Sequence, residues 1–159
     1  TVKDWRDATA LLLDSTVELV AAVLPALKRQ RWGRILAITS IAAKQPVPNL
    51  MLSNSLRAAV TGFASTLARE VATDGITVNT ILPGFTNTER VAEIYDANAR
   101  RAGVTVEEVR ARVEAEIPLG RLGEPEEFAA LAAFLVSERA GYITAGAFAV
   151  DGGWIRTLF

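Results

Sequence analysis

The chain has 159 residues, half of them apolar and 22% charged, which suits the core of one ordinary domain and is too apolar for global disorder. A formal net charge of −1 without a basic block argues against nucleic acid or an anionic membrane as the main partner, and the absence of cysteine removes disulfides and thiolate chemistry. Histidine is also absent, so no zinc or haem site is expected and acid–base work falls to Tyr, Lys, Asp or Glu.

No run approaches the ~20 unbroken apolar residues of a membrane span, and the start, Thr1-Val-Lys-Asp-Trp5, does not read as a signal peptide. The expectation is a cytoplasmic protein with no membrane association. Residues 4–28 place Trp5, Ala8, Leu12, Val17, Val20, Leu24 and Leu27 at spacings near three and four, one buried face of a long helix. Thr1 and Asp4 resemble a capping box at its start, and Pro25 should bend or end it. Arg34 to Thr39 follows the turn at Trp32-Gly33 as a short continuous apolar run, the pattern of a strand covered on both faces. Residues 41–50 read as a loop.

A second helix is predicted from about Asn54 to Ala72, burying Leu56, Val60, Phe63, Leu67 and Val71 and stopped by Asp74-Gly75. Gly75 to Leu82 is the next strand, closed by Pro83-Gly84. The polar stretch 85–120 reads as a helical insertion, with Thr105 and Glu108 as a capping box and Glu108 with Arg112 as a pair one helical turn apart. A last helix opens at Glu124-Pro125 and runs to about Ser137, and a last strand covers Ala145–Val150. The order is that of an α/β fold with three parallel strands, flanking helices and a helical lid. The first strand is apolar, yet nothing before the first helix could pair with its outer edge, so another segment or another copy of the chain must cover it.

Three segments together resemble the short-chain dehydrogenase/reductase family, most closely its 3-oxoacyl-acyl-carrier-protein reductase-like branch. They are Gly33 to Ser40, a strand ending on a serine; Val78-Asn-Thr-Ile-Leu-Pro-Gly84 with Thr88 after it; and Pro118 to Glu127 followed by Tyr142-Ile-Thr and Val150-Asp-Gly-Gly153. The resemblance implies that residues 1–159 are the C-terminal portion of a single NAD(P)-binding Rossmann-like domain, a doubly wound parallel sheet with a lid at about 85–120. It implies an oxidoreductase that interconverts a carbonyl and an alcohol on a small-molecule substrate with NAD or NADP, assembled as a homodimer or homotetramer. No G-x-G-x-x-G segment is present to hold a pyrophosphate, so tight dinucleotide binding by this chain is not expected.

The family's catalytic set is a serine, a tyrosine thirteen residues on, a lysine four residues after that, and an asparagine on the preceding helix. Ser40 matches the serine. The count then reaches Ser53 and Arg57, with Ala58-Ala-Val-Thr-Gly-Phe63 matching the family's helix, and thirteen back from Pro25 lies Leu12. Ser53 is a far weaker acid than a phenol, and Arg57 keeps a positive charge for a ribose or phosphate but cannot release a proton. Lys44 and Tyr95 are the candidate replacement acids. Pro83, Gly84, Phe85 and Thr88 are the implied cofactor contacts, with the Phe85 N–H facing the nicotinamide amide and Thr88 the phosphates. Asn79 is expected to bond backbone, Asp151-Gly152-Gly153 to be a turn at a subunit interface, and Trp154 and Phe159 to pack on another subunit. Two rival readings stand beside the enzyme: an inactive family member kept as a cofactor-sensing or oligomerisation scaffold, and a self-sufficient half-domain.

Overall fold

The computed structural model describes residues 1–158; the expectation for Phe159 falls outside them. Three parallel strands, β1 (Gly33–Ile38), β2 (Ile76–Pro83) and β3 (Ala147–Val150), lie in the order β1-β2-β3. Gly33 pairs with Ile76 and Ile38 with Ile81, while Thr80 pairs with Ala147 and Pro83 with Val150. The helices are α1 (Val2–Thr9), α2 (Ser15–Gln30), α3 (Met51–Val71), α4 (Glu89–Ala102), α5 (Val106–Glu116) and α6 (Pro125–Val136). Each strand-to-strand connection passes through a helix, as parallel pairing requires.

Successive side chains of a strand face opposite sides of the sheet, and both sides are covered. Ile35, Ile76 and Val78 pack with Val20 of α2 and with Ala64, Leu67, Ala68 and Val71 of α3. Arg34 turns the other way and donates from Nε to the Ser137 carbonyl just past α6 at 3.3 Å. Central β2 is buried from Ile76 to Leu82, and its polar Asn79 is satisfied by backbone as expected. Its Nδ2 donates to Ile143 O at 2.9 Å and its Oδ1 accepts from Gly146 N at 3.0 Å.

Several sequence expectations need correction. Both capping boxes form, at Thr1/Asp4 and Thr105/Glu108. Glu108, however, is spent on the Thr105 N–H, and the ion pair of α5 is Arg110 with Glu114 at 2.7 Å rather than Glu108 with Arg112. Pro25 does not end α2, which runs to Gln30 and closes on Arg31 in the left-handed region. α3 begins at Met51, earlier than predicted. β1 is only partly covered because it is an edge strand, and Ile38 is 55% exposed.

Between α1 and α2 the helix passes through a π turn at Ala10–Asp14, so Val2–Gln30 is one continuous 29-residue helical path. Its predicted apolar face is the better covered one, with Val20 buried, Ala8, Leu12, Leu24 and Leu27 half-buried and only Trp5 and Val17 exposed, whereas Leu11 and Leu19, off that face, are 72% and 66% exposed. By length and composition alone this path could cross a bilayer, which corrects the expectation that nothing in the chain resembles a span. Asp14 and Glu18 interrupt its middle, and α2 packs on β1.

Candidate active site at the C-terminal ends of the strands

In an open α/β sheet the loops after the strands converge at one edge, where ligands bind. The ladder continues one residue beyond β1, with Thr39 N donating to Ile81 O at 2.9 Å. Ser40 is next, in extended conformation, and its hydroxyl accepts from the Ala42 N–H at 3.1 Å. That bond caps a 3₁₀ turn at Ile41–Ala43, inside the stretch expected to be a plain loop. Lys44 closes the turn. The residue is half-buried, and its ammonium has no carboxylate partner among the described residues.

Ser53 sits in the first turn of α3 and lines an apolar groove with Leu12, Leu50 and Met51. The structure thus brings together Leu12 and Ser53, the positions the family fills with asparagine and tyrosine, and it places Leu12 inside the π turn. Such turns inside α-helices frequently mark functional sites. Arg57, one turn further along α3, points elsewhere. Its Nη1 donates to the Ile38 carbonyl at 2.9 Å, and burial pushes its pKa below the ordinary arginine value without threatening its charge.

Pro83 ends β2. Gly84 donates to Val150 O at 2.9 Å, and a Cβ there would lie 2.7 Å from the Asp151 Cα, so glycine is required by the close approach of β3's end. Phe85 O accepts from the Gly123 N–H at 3.0 Å, whereas the Phe85 N–H has no acceptor among the described residues. Thr88 caps α4, its hydroxyl accepting from the Val91 N–H at 3.4 Å. Tyr95 is buried in a cluster with Ala99, Val109 and Leu122, and its hydroxyl has no partner among the described residues. Burial first, and the Glu114 charge second, push its pKa above the ordinary tyrosine value. It stands inside the cluster between α4 and α5, poorly placed to donate a proton.

Other residues escaped sequence reasoning. Asn54 holds Val47 at both backbone groups, its Oδ1 accepting from Val47 N at 3.3 Å and its Nδ2 donating to Val47 O at 3.0 Å. This ties the 44–50 loop to α3. Its position directly after Ser53 was the available signal. Arg121 grips Glu127 with two 2.7 Å bonds, and the Glu127 carboxylate also accepts from the Glu124 N–H. Trp154 is buried within the chain beside Ile41, Leu82 and Ile117, edge-on to Phe85, which corrects its predicted place on another subunit. Asp151 does form a turn, accepting from the N–H groups of Gly153 and Ile155. Among the described residues no group of three or more Asp, Glu, His or Cys is placed to hold a metal.

Comparison with known proteins bears on this site. A family model described as enoyl-(acyl carrier protein) reductase matches residues 1–155. The 3-oxoacyl-(acyl-carrier-protein) reductase FabG of Vibrio cholerae is 36% identical over 151 residues, covering 95% of this chain and 57% of that protein. L-Sorbose reductase from Gluconobacter frateurii, solved with NADPH and L-sorbose, superposes with a TM-score of 0.93 at 33% identity, over 99% of this chain and 60% of that one. A short chain dehydrogenase family protein from Francisella tularensis superposes at 0.91 with 25% identity, over 97% of this chain and 63% of that one. The chain therefore spans less than two thirds of the length of these relatives.

Proposed function

Because the chain belongs to the short-chain dehydrogenase/reductase family, we propose that it forms the substrate side of a nicotinamide-dependent oxidoreductase, interconverting a carbonyl and an alcohol in the manner of a 3-oxoacyl reductase. The observation that carries this reading is the unpartnered Phe85 N–H at the C-terminal end of β2, beside the close turn at Pro83-Gly84. A free backbone donor there suits the carboxamide of a nicotinamide, and Pro83, Gly84, Phe85 and Thr88 are the residues that would hold the cofactor. NADP is favoured over NAD because L-sorbose reductase was solved with NADPH. The cofactor supplies the hydride. The protein must supply the proton to the carbonyl oxygen, and Lys44 is assigned that task, with Ser40 and Ser53 as hydroxyls bordering the substrate and Arg57 as the cation for the ribose or phosphates. The same reading takes residues 85–120 as a substrate lid and the working protein as a cytoplasmic homodimer or homotetramer, consistent with the apolar surface left on α1 and α2.

A second reading, an inactive member kept as a scaffold, is favoured by where the polar groups are spent. Ser40 caps a turn, Arg57 holds a strand carbonyl, and Leu12 offers no polar group at all. Fluorescence titration with NADPH and NADH separately, on the intact protein in which a Gly-rich nucleotide-binding half completes the sheet, decides between them. Saturable binding of either, lost in Phe85→Pro and kept in Phe85→Leu, supports the oxidoreductase, since proline removes the N–H and leucine does not. Absence of binding by both cofactors sinks it and leaves the scaffold.

A further inference from the structure

We propose that the cavity between the 44–50 loop and α4 receives the carboxylate end of an amphipathic substrate, and that Arg101 with Asn98 reads that charge. The inference rests on the oxidoreductase reading only for the carbonyl that such a substrate would also carry.

The cavity has a volume of about 380 Å³, with Pro48 and Leu50 on the loop side and Phe85 at its base. Its other wall is one face of α4, whose residues at positions 91, 94, 95, 98 and 101 follow helical spacing. That face changes character along its length. Val91, Ile94 and Tyr95 make the first two turns apolar, and Asn98 and Arg101 make the last two polar and cationic. No carboxylate lines the cavity.

Arg101 differs from the other arginines that line cavities in this protein. Arg57 is committed to Ile38 O, Arg34 to Ser137 O and Gly33 O, and Arg121 to Glu127. Arg101 and Asn98 stand exposed at the cavity's mouth, and neither makes a side-chain hydrogen bond or ion pair among the described residues, although the adjacent Arg100 pairs with Asp96 at 3.6 Å. A basic residue in a last helical turn is favourable to the dipole wherever it points. Arg100 already meets that need, so the dipole does not account for a second guanidinium bordering a largely apolar cavity. A ligand with an apolar body and an anionic end satisfies both halves of the wall at once, because guanidinium and amide can each donate to a carboxylate.

The test is calorimetric titration of the full chain with octanoate and with octan-1-ol, which share a body and differ in charge. The expected result is octanoate binding roughly tenfold or more tighter than the alcohol at low salt. Arg101→Gln should erase the difference, whereas Arg100→Gln, the same loss of charge outside the cavity, should keep it. Equal affinity for the two probes, an unchanged ratio in Arg101→Gln, an equal loss in Arg100→Gln, or no saturable binding of octanoate would each overturn the proposal. No cofactor is needed, so failure here alongside NADPH binding leaves the oxidoreductase reading intact, and the converse result leaves this one intact.

Discussion

The proposed reaction needs a proton at the carbonyl oxygen, and the residues offer few donors. An aliphatic hydroxyl such as that of Ser53 is a much weaker acid than a phenol, whose pKa is about 10. Tyr95 has the phenol but holds it buried between α4 and α5. Lys44 follows the turn that Ser40 caps, half-buried and without a carboxylate partner. Lys44→Ala is therefore expected to lower carbonyl reduction by about a hundredfold, within the range of general acid catalysis, and to leave NADPH affinity unchanged. Unaltered turnover would remove Lys44 from the mechanism. At this scale the sequence was partly legible. Counting from Ser40 gave Ser53 and Arg57, and counting back from Pro25 gave Leu12, since residue identity at a matched position needs no coordinates. Where Ser40 and Arg57 direct their hydrogen bonds was not legible, because Ala42 N and Ile38 O become partners only once the chain has turned.

Among the elements, α6 depends on a link outside itself. Arg121 precedes the helix and clamps Glu127 in its first turn, and the Glu127 carboxylate also accepts from the Glu124 N–H. The bonds from Arg121, then that from Glu124, draw the carboxyl down from its ordinary 4.5 to about 2. A folded value below the unfolded one means stabilisation that is complete above the unfolded pKa and is lost as pH falls from about 4.5 through about 2. Thermal melts over that window should show a declining Tm whose slope is reduced in Glu127→Gln and at high salt. An identical slope in the variant would show that the clamp contributes nothing. The segment was visible in the sequence as Arg-Leu-Gly-Glu-Pro-Glu-Glu, but its pairing was not. Helix and strand positions were legible from periodicity, and boundaries shifted where local backbone conformation decided them. α3 starts early because Leu50 leaves the helical region and lets Met51 begin it, and α2 outlasts Pro25 because the register continues beyond the missing N–H.

The whole molecule is a three-stranded sheet with helices on both faces and uncovered apolar surface along α1, α2 and the outside of β1. Because Gly33 and Thr39 donate inward to β2, the alternate residues Arg34, Leu36 and Ile38 direct their backbone groups outward, where no strand receives them. Such an edge promotes association. Sedimentation equilibrium should show dimers or larger species at micromolar concentration, with a charged substitution at exposed Leu19 shifting the distribution toward monomer. A monomer at every concentration would refute this. The bare edge was foreseeable from the element order. The exposed apolar surface at Leu11 and Leu19 was not, since both lie off the face that periodicity marked.

The bond from Arg57 to the Ile38 carbonyl ties these scales together. One guanidinium arm stands in for the amide that a neighbouring strand would bring, and while it does so its charge is turned away from the groove that Ser53 lines. Any strand that pairs with this edge would offer its own N–H to that carbonyl and set the cation free. The width of the sheet and the freedom of the Arg57 charge are therefore governed by a single exchange of donors.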